Sequence, residues 1–263
     1  MPEKEKFLIA GPCSAESAES IEESAQAINT IIKNSKIALN KWWLRASLEK
    51  PRTSPGFEGA SLKGIPWLVK IASEEIGIAT ELMQPQTIEP LLNSLSEHNN
   101  SSSLIVWLGS RNQNHRIQTE ISRRLMDSSI SPLLMIKNQP WGDESHWLGI
   151  VDHVLSTGFP LSRLILYHRG FYPYRVDNPH NLRNIPDFEM AIRVKEKTGL
   201  PLILDPSHIA GSQEKVTKVI NMAQSFPFDG YMIEVHPNPS QAKSDSQQQL
   251  TFAQFGQALK LIN

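Results

Sequence analysis

"FLIAGPCSAES", residues 7–17, opens with a five-residue apolar run and passes at once into a proline and the chain's single cysteine. A run this short, closed by Gly11 and Pro12, reads as a β-strand. The residues just after it bear on the fold. A doubly wound nucleotide-binding sheet carries G-x-G-x-x-G after its first strand, so that backbone can approach a pyrophosphate, and the motif is absent here.

Seven further runs of the same kind succeed it: IALNKWWLRA (37–46), GIATEL (77–82), LIVWLG (104–109), PLLMIK (132–137), LILYHR (164–169), PLILDPS (201–207) and GYMIEV (230–235). Amphipathic stretches separate them. Ile21, Ala25, Ile28 and Ile32 recur at helical spacing, as do Val216, Val219, Ile220 and Ala223, and then Phe252, Phe255, Leu259 and Ile262. Eight β/α units in 263 residues predict a single α/β domain over 1–263, a closed (β/α)8 TIM barrel, with the doubly wound sheet as the alternative. No stretch reads as a domain linker. SEHNNSSS (96–103) has the composition of a surface loop, and SDSQQQ (244–249) looks similar but begins beside Asp245. Trp42, Trp43 and Trp147 read as core residues or, failing that, as interface markers.

Composition narrows the function. With 26 Lys+Arg against 27 Asp+Glu the formal net charge is -1, and no basic run with interleaved aromatics suggests a nucleic-acid surface. The start MPEKEK leads into an apolar run too short for a signal peptide or membrane span, and one cysteine cannot form an internal disulfide. These features predict a cytoplasmic protein with neither nucleic-acid nor membrane partners.

Barrel chemistry sits on the loops leaving the C-terminal ends of the strands. Cys13 follows the first strand; Arg45 ends the second, with Lys50, Arg52 and Thr53 just beyond. Glu81 ends the third, Arg111 follows the fourth, Lys137 ends the fifth, and His168 and Arg169 end the sixth. His208 follows the seventh and Glu234 ends the eighth. One arginine or lysine at a strand end is ordinarily a solvated loop residue; eight strands delivering polar groups to one face are not so easily dismissed.

Two chemistries can be read from the ring. Arg45, Lys50, Arg52, Arg111, Lys137 and Arg169 would suit ligands bearing several phosphate or carboxylate groups. Cys13, His208, Glu234 and Asp245 offer one sulfur, one nitrogen and two carboxylates, a set suited to manganese, iron, cobalt or zinc. Each ligand has a plainer reading: Cys13 as a small buried hydrophobe, His208 as a helix cap, Asp245 as a loop acid. Glu234 is harder to explain away, because alternation in GYMIEV puts it on the face of Met232 in a strand buried on both sides, where a carboxylate needs a cation. His236 competes with His208 for the nitrogen position.

At these residues the chain resembles the 3-deoxy-D-arabino-heptulosonate 7-phosphate (DAHP) synthases. The resemblance runs through GPCSAES, RASLEKPRTSP, ATE, WLGSR, IKN, HRGF, DPSHIAG and MIEVHPNPSQAKSDSQQQ, from about residue 7 onward. GPCS, DPSH and IEVHP are shared with 3-deoxy-D-manno-octulosonate 8-phosphate synthases, and KPRTSP separates the two. The compact type fused in some bacteria to a chorismate mutase is the nearest in pattern. No mutase follows Asn263 and no N-terminal regulatory extension precedes the barrel, so neither domain is expected.

The resemblance implies condensation of phosphoenolpyruvate with erythrose 4-phosphate, releasing phosphate, as the first step of the shikimate pathway. It implies Cys13, His208, Glu234 and Asp245 as ligands of a divalent metal, with Cys13, Lys50 and His208 in catalytic roles. Arg111, Lys137 and Arg169 would clamp the phosphoenolpyruvate phosphate, Arg45 and Lys50 would face its carboxylate and bridging oxygen, and Lys50 would donate a proton. Arg52 and Thr53 would hold the aldose phosphate, and Glu81 completes the substrate site. A homo-oligomer, dimer or tetramer, is expected, with a chorismate mutase as a further possible partner. Metal binding should leave Cys13 as an accessible thiolate open to oxidation.

The chain also departs from the family pattern. Arg45-Ala46-Ser47 replaces R-x-G, Gly109-Ser110-Arg111 replaces G-A-R, and the loop at Gly56 is one residue short. These changes keep two other readings open: the octulosonate synthase acting on arabinose 5-phosphate, and a weakly active paralogue that regulates a chorismate mutase.

Overall fold

The computed structural model describes residues 6–37, 39–51, 55–97 and 104–262. Eight parallel strands close into a barrel in chain order: β1 (Phe7–Gly11), β2 (Trp42–Arg45), β3 (Ile76–Glu81), β4 (Leu104–Leu108), β5 (Leu133–Lys137), β6 (Leu164–His168), β7 (Leu202–Leu204) and β8 (Gly230–Glu234). The expected closed barrel is therefore the observed one, and the doubly wound sheet is excluded. Around it lie α1 (Ala18–Lys33), α2 (Ile65–Ile71), α3 (Ile88–Glu97), α4 (His115–Met126), α5 (Glu144–Leu155), α6 (Phe188–Thr198), α7 (Pro206–Ala210), α8 (Gln213–Ala223) and α9 (Phe252–Leu259).

Local chemistry explains the helix boundaries. Ser17 caps α1 by accepting from Ser20 N, and Ile21, Ala25, Ile28 and Ile32 bury one stripe of it against the barrel. Thr251 and Gln254 form a reciprocal capping box at α9. Gly199, at φ 68°, closes α6 in the left-handed conformation. The second apolar run is shorter as a strand than it reads in sequence, beginning at Trp42, after the polar pair Asn40 and Lys41. SEHNNSSS falls largely on residues 98–103, outside the described residues, while its first two residues finish α3.

Closure depends on two glycines. β1 pairs with β8 from Phe7↔Gly230 to Gly11↔Glu234. A Cβ on Gly230 would lie 2.2 Å from Phe7 O, and one on Gly11 would lie 2.4 Å from Arg45 O, with Gly11 at φ +145°.

The barrel interior holds Ile9, Trp43, Ala79, Ile105, Trp107, Met135, Ile165, Tyr167, Ile203 and Met232. Strand side chains alternate with period two, so the next inward position is two residues on. From Trp43 that position is Arg45, from Ala79 it is Glu81, from Met135 Lys137, from Ile203 Asp205 and from Met232 Glu234. The apolar plug and the charged layer above it are thus successive inward steps of the same strands. Trp42 and Trp147 are buried between barrel and helices and Trp43 lies within the barrel, so all three are core residues. The exposed aromatics among the described residues are instead Trp141, Tyr172 and Tyr174. No helix among the described residues is long and apolar enough to cross a membrane.

Candidate active site

A cavity of about 450 Å³ opens at the C-terminal mouth of the barrel, and Arg45, Lys50, Arg111, Lys137, Arg169 and Arg183 all line it. Six cations line this one cleft, against the carboxylates of Glu81 and Asp245, in a chain with net charge -1, an arrangement suited to anions. Five of them were legible in sequence; Arg183, on the loop after β6, was not. Arg52 and Thr53 lie outside the described residues.

The cations differ in how they are held. Arg45 is buried, donates to Pro12 O (3.3 Å) and Cys13 O (3.1 Å), and lies over the Trp107 ring. Its Nη2 is 3.1 Å from Glu234 Oε1, so it is tied to the metal-ligand side as well as to the cleft. Lys137 sits 4.5 Å from the centre of the Tyr167 ring, and burial pushes its pKa down to about 8. Burial likewise pushes Arg169 down to about 10, with Arg183 and Arg111 adding to the effect. Arg111 donates to Pro51 O, 3.0 Å away. Glu81 accepts from Trp107 Nε1 (3.1 Å), and burial raises its pKa against the pull of Lys137 and Lys50. One Glu81 oxygen would meet a Cβ on Gly109 at 1.9 Å, so that glycine leaves the carboxylate its space. Ser47 and Ser110, the residues that depart from the family pattern, both line the cleft.

Beside the cations, donor atoms of Cys13, Glu234 and Asp245 lie within 4.8 Å of one another, the spacing of a metal site. His208 Nε2 is 3.8 Å from Glu234 Oε1 and 3.8 Å from Asp245 Oδ2, so this ring faces the donor set. His236 is engaged elsewhere: its Nδ1 accepts from Asn238 N and its Nε2 lies 3.9 Å from Glu16. Glu234 Oε1 is buried and is held by the Arg45 guanidinium, while Oε2 accepts from Gln248. Lys50 Nζ stands among the donors, touching Cys13 Sγ and lying 2.6 Å from Asp245 Oδ2. A cationic group standing among these donors is what a divalent-ion site would present, and one sulfur, one nitrogen and two carboxylates suit a borderline ion.

The thiol differs from expectation. Cys13 is fully buried and its pKa is pushed up to about 12, first by burial and then by Glu234, so without a metal it is a covered thiol and not an accessible thiolate. Burial would raise the Glu234 and Asp245 carboxyls too, but His208 and Arg45 lower Glu234, and Lys50 and His208 lower Asp245. Both are held ionised.

Several supporting residues escaped the sequence reading. Arg183 donates to Asp245 Oδ1 (3.1 Å) and Gln248 Oε1 (2.6 Å), and Gln248 in turn donates to Glu234 Oε2 (2.6 Å). Gln249 accepts from Cys13 N (2.9 Å). Both glutamines are buried, in a stretch whose composition resembles a surface loop. Asp245 itself is at φ 44°, a left-handed conformation uncommon outside glycine.

Residues 3–263 match the family described as DAHP synthetase I. The chain belongs to this family. A relative, the phospho-2-dehydro-3-deoxyheptonate aldolase of Thermotoga maritima, is 28% identical over 252 residues, covering 94% of this chain. The chain spans 66% of that relative's length. A crystal structure of the phospho-2-dehydro-3-deoxyheptonate aldolase (DAHP synthase) of Thermotoga maritima superposes with TM-score 0.81 and 25% identity, over 99% of this chain and 69% of that one. A truncated 3-deoxy-D-arabino-heptulosonate 7-phosphate synthase from the same organism shares the fold, with TM-score 0.76 and 22% identity over 99% of this chain and 86% of that one.

Proposed function

We propose that this protein condenses phosphoenolpyruvate with erythrose 4-phosphate and water, giving 3-deoxy-D-arabino-heptulosonate 7-phosphate and phosphate. One observation carries the reading: in a chain of the DAHP synthetase I family, the clustered donors of Cys13, Glu234 and Asp245, with His208 Nε2 3.8 Å from both carboxylates, share one barrel mouth with a cleft lined by six cations. Cys13, His208, Glu234 and Asp245 would hold a divalent manganese, iron, cobalt or zinc ion. When bound, such an ion supplies Lewis-acid polarisation of an aldehyde.

The chain's own residues supply the rest. Arg111, Lys137 and Arg169 bind the phosphoenolpyruvate phosphate, while Arg45 and Lys50 face its carboxylate end, which orients C3 toward the aldehyde carbon. As the new C–C bond forms, negative charge develops on the former aldehyde oxygen. Lys50, whose Nζ lies 2.6 Å from Asp245 Oδ2, is placed to give it a proton. Water adds at C2 and phosphate leaves by C–O cleavage, its charge received by the same arginines. Arg52 and Thr53 are assigned to the aldose phosphate, and Glu81 to ordering Lys137 and the substrate. We extend the reading to a cytoplasmic enzyme that forms a dimer or tetramer. A chorismate mutase is the partner a pull-down would seek.

Phosphate release from phosphoenolpyruvate with each aldose phosphate, with and without manganese, tests the proposal. Turnover with arabinose 5-phosphate alone would favour the octulosonate synthase; turnover with neither, together with capture of a chorismate mutase, would favour the regulatory paralogue.

Two further outcomes are expected from the clamp. Arg169→Ala removes a charge-assisted donor and should lower kcat/KM for phosphoenolpyruvate about ten- to hundred-fold; an unchanged value removes Arg169 from the site. Lys137 is charged below its pKa of about 8, so kcat/KM should fall as pH rises through that value. A profile flat to pH 10 would show that the ammonium is not required.

A further inference from the structure

The nitrogen ligand is held from behind by a carboxylate with no part in the proposed reaction. Asp205, the residue after β7, is fully buried. Its Oδ1 accepts from His208 N at 2.9 Å, capping α7. Its Oδ2 does more than a cap requires. It accepts from Tyr167 Oη in a short hydrogen bond and lies 2.6 Å from His208 Nδ1 and 3.9 Å from Lys137 Nζ. The contact with Nδ1 is off the line of an ideal hydrogen bond, but Nδ1 has no other partner among the described residues.

We infer that Asp205 is a positioning residue for the metal site, holding His208 so that Nε2 faces Glu234 and Asp245. Three physical points support this. An imidazole has two distinct nitrogens, and a carboxylate at Nδ1 keeps the proton there and leaves the Nε2 lone pair for a ligand. A buried carboxylate facing donors from β5, β6 and its own helix is fixed in place, so the ring it meets is fixed as well. And the same oxygen lies beside Lys137, so the nitrogen ligand and the phosphate clamp share one anchor.

The inference rests on the proposed metal site, and the test separates the two. Asp205→Asn keeps the volume and the capping oxygen but replaces Oδ2 with an amide donor. His208 Nδ1 must then accept, which moves its proton to Nε2 and blocks the ligand position. Cobalt(II) is titrated into the metal-stripped full-length protein, following the thiolate-to-cobalt absorption that Cys13 would produce. Wild type should bind with that band, and Cys13→Ala should lack it. D205N should bind cobalt about 10- to 100-fold more weakly, with an altered band, while its far-UV circular dichroism stays unchanged. If D205N does not fold, Tyr167→Phe decides: losing one hydrogen bond to Oδ2 should weaken cobalt binding about three- to tenfold. A folded D205N, or otherwise a Y167F, with wild-type affinity and spectrum overturns the inference while leaving the metal site standing. A wild-type protein that binds no cobalt overturns both.

Discussion

Cys13→Ala should lower phosphate release by about 10²–10³-fold, and manganese, cobalt or zinc should not restore it. The size reflects the contribution of a catalytic ion, several kcal/mol of charge stabilisation at about 1.4 kcal/mol per tenfold. Removing the ion with a chelator should have the same effect on the wild type, reversed when metal returns. The geometry adds a condition. Cys13 is buried and its thiol is pushed up to about 12 without metal, so metal binding must expel the thiol proton, and apparent affinity should rise with pH. For the same reason the metal-free protein should be alkylated slowly at pH 8. Full turnover in chelator, or a C13A variant with wild-type rates, would reduce Cys13 to a core residue.

Lys50→Met should lower kcat by about 10²–10⁴-fold, the range for loss of a positioned general acid. Lys50 touches Cys13 and Asp245 and also lines the anion cleft, so a loss of charge must be distinguished from a loss of proton transfer. Lys50→Arg makes the distinction. A guanidinium keeps the charge but does not release a proton near neutral pH, so rates should stay low while KM for phosphoenolpyruvate recovers. A K50M variant within tenfold of the wild-type kcat would rule out the proton-donor role.

Much of this architecture is visible without coordinates because strand alternation is a local property. The period-two step that puts Met232 and Glu234 on one face also puts Met135 with Lys137 and Ala79 with Glu81, and each pair is readable within its own strand. Eight such runs within 263 residues favour the closed barrel over the doubly wound sheet, and the barrel places the ends of its strands at one mouth. Cys13, Arg45, Glu81, Lys137 and Glu234 belong to this legible part, as do the helical stripes of α1 and α8.

Tertiary structure alone decided which loop residues meet. Composition left His208 and His236 as rivals and only the family resemblance favoured His208; the fold turns His208 to the donor set and leaves His236 beside Glu16. Arg183, Gln248 and Gln249 carried no local signal, because their partners lie on other loops. Gln249, in a stretch resembling a surface tract, accepts from Cys13 N across 236 positions of sequence. The accessibility of Cys13 was misjudged for the same reason: its cover is Lys50 from the loop after β2 and Asp245 from the loop after β8. Alternation and helical period arise from backbone geometry repeated every few residues, whereas loop-to-loop contacts exist only once barrel closure brings β1 beside β8.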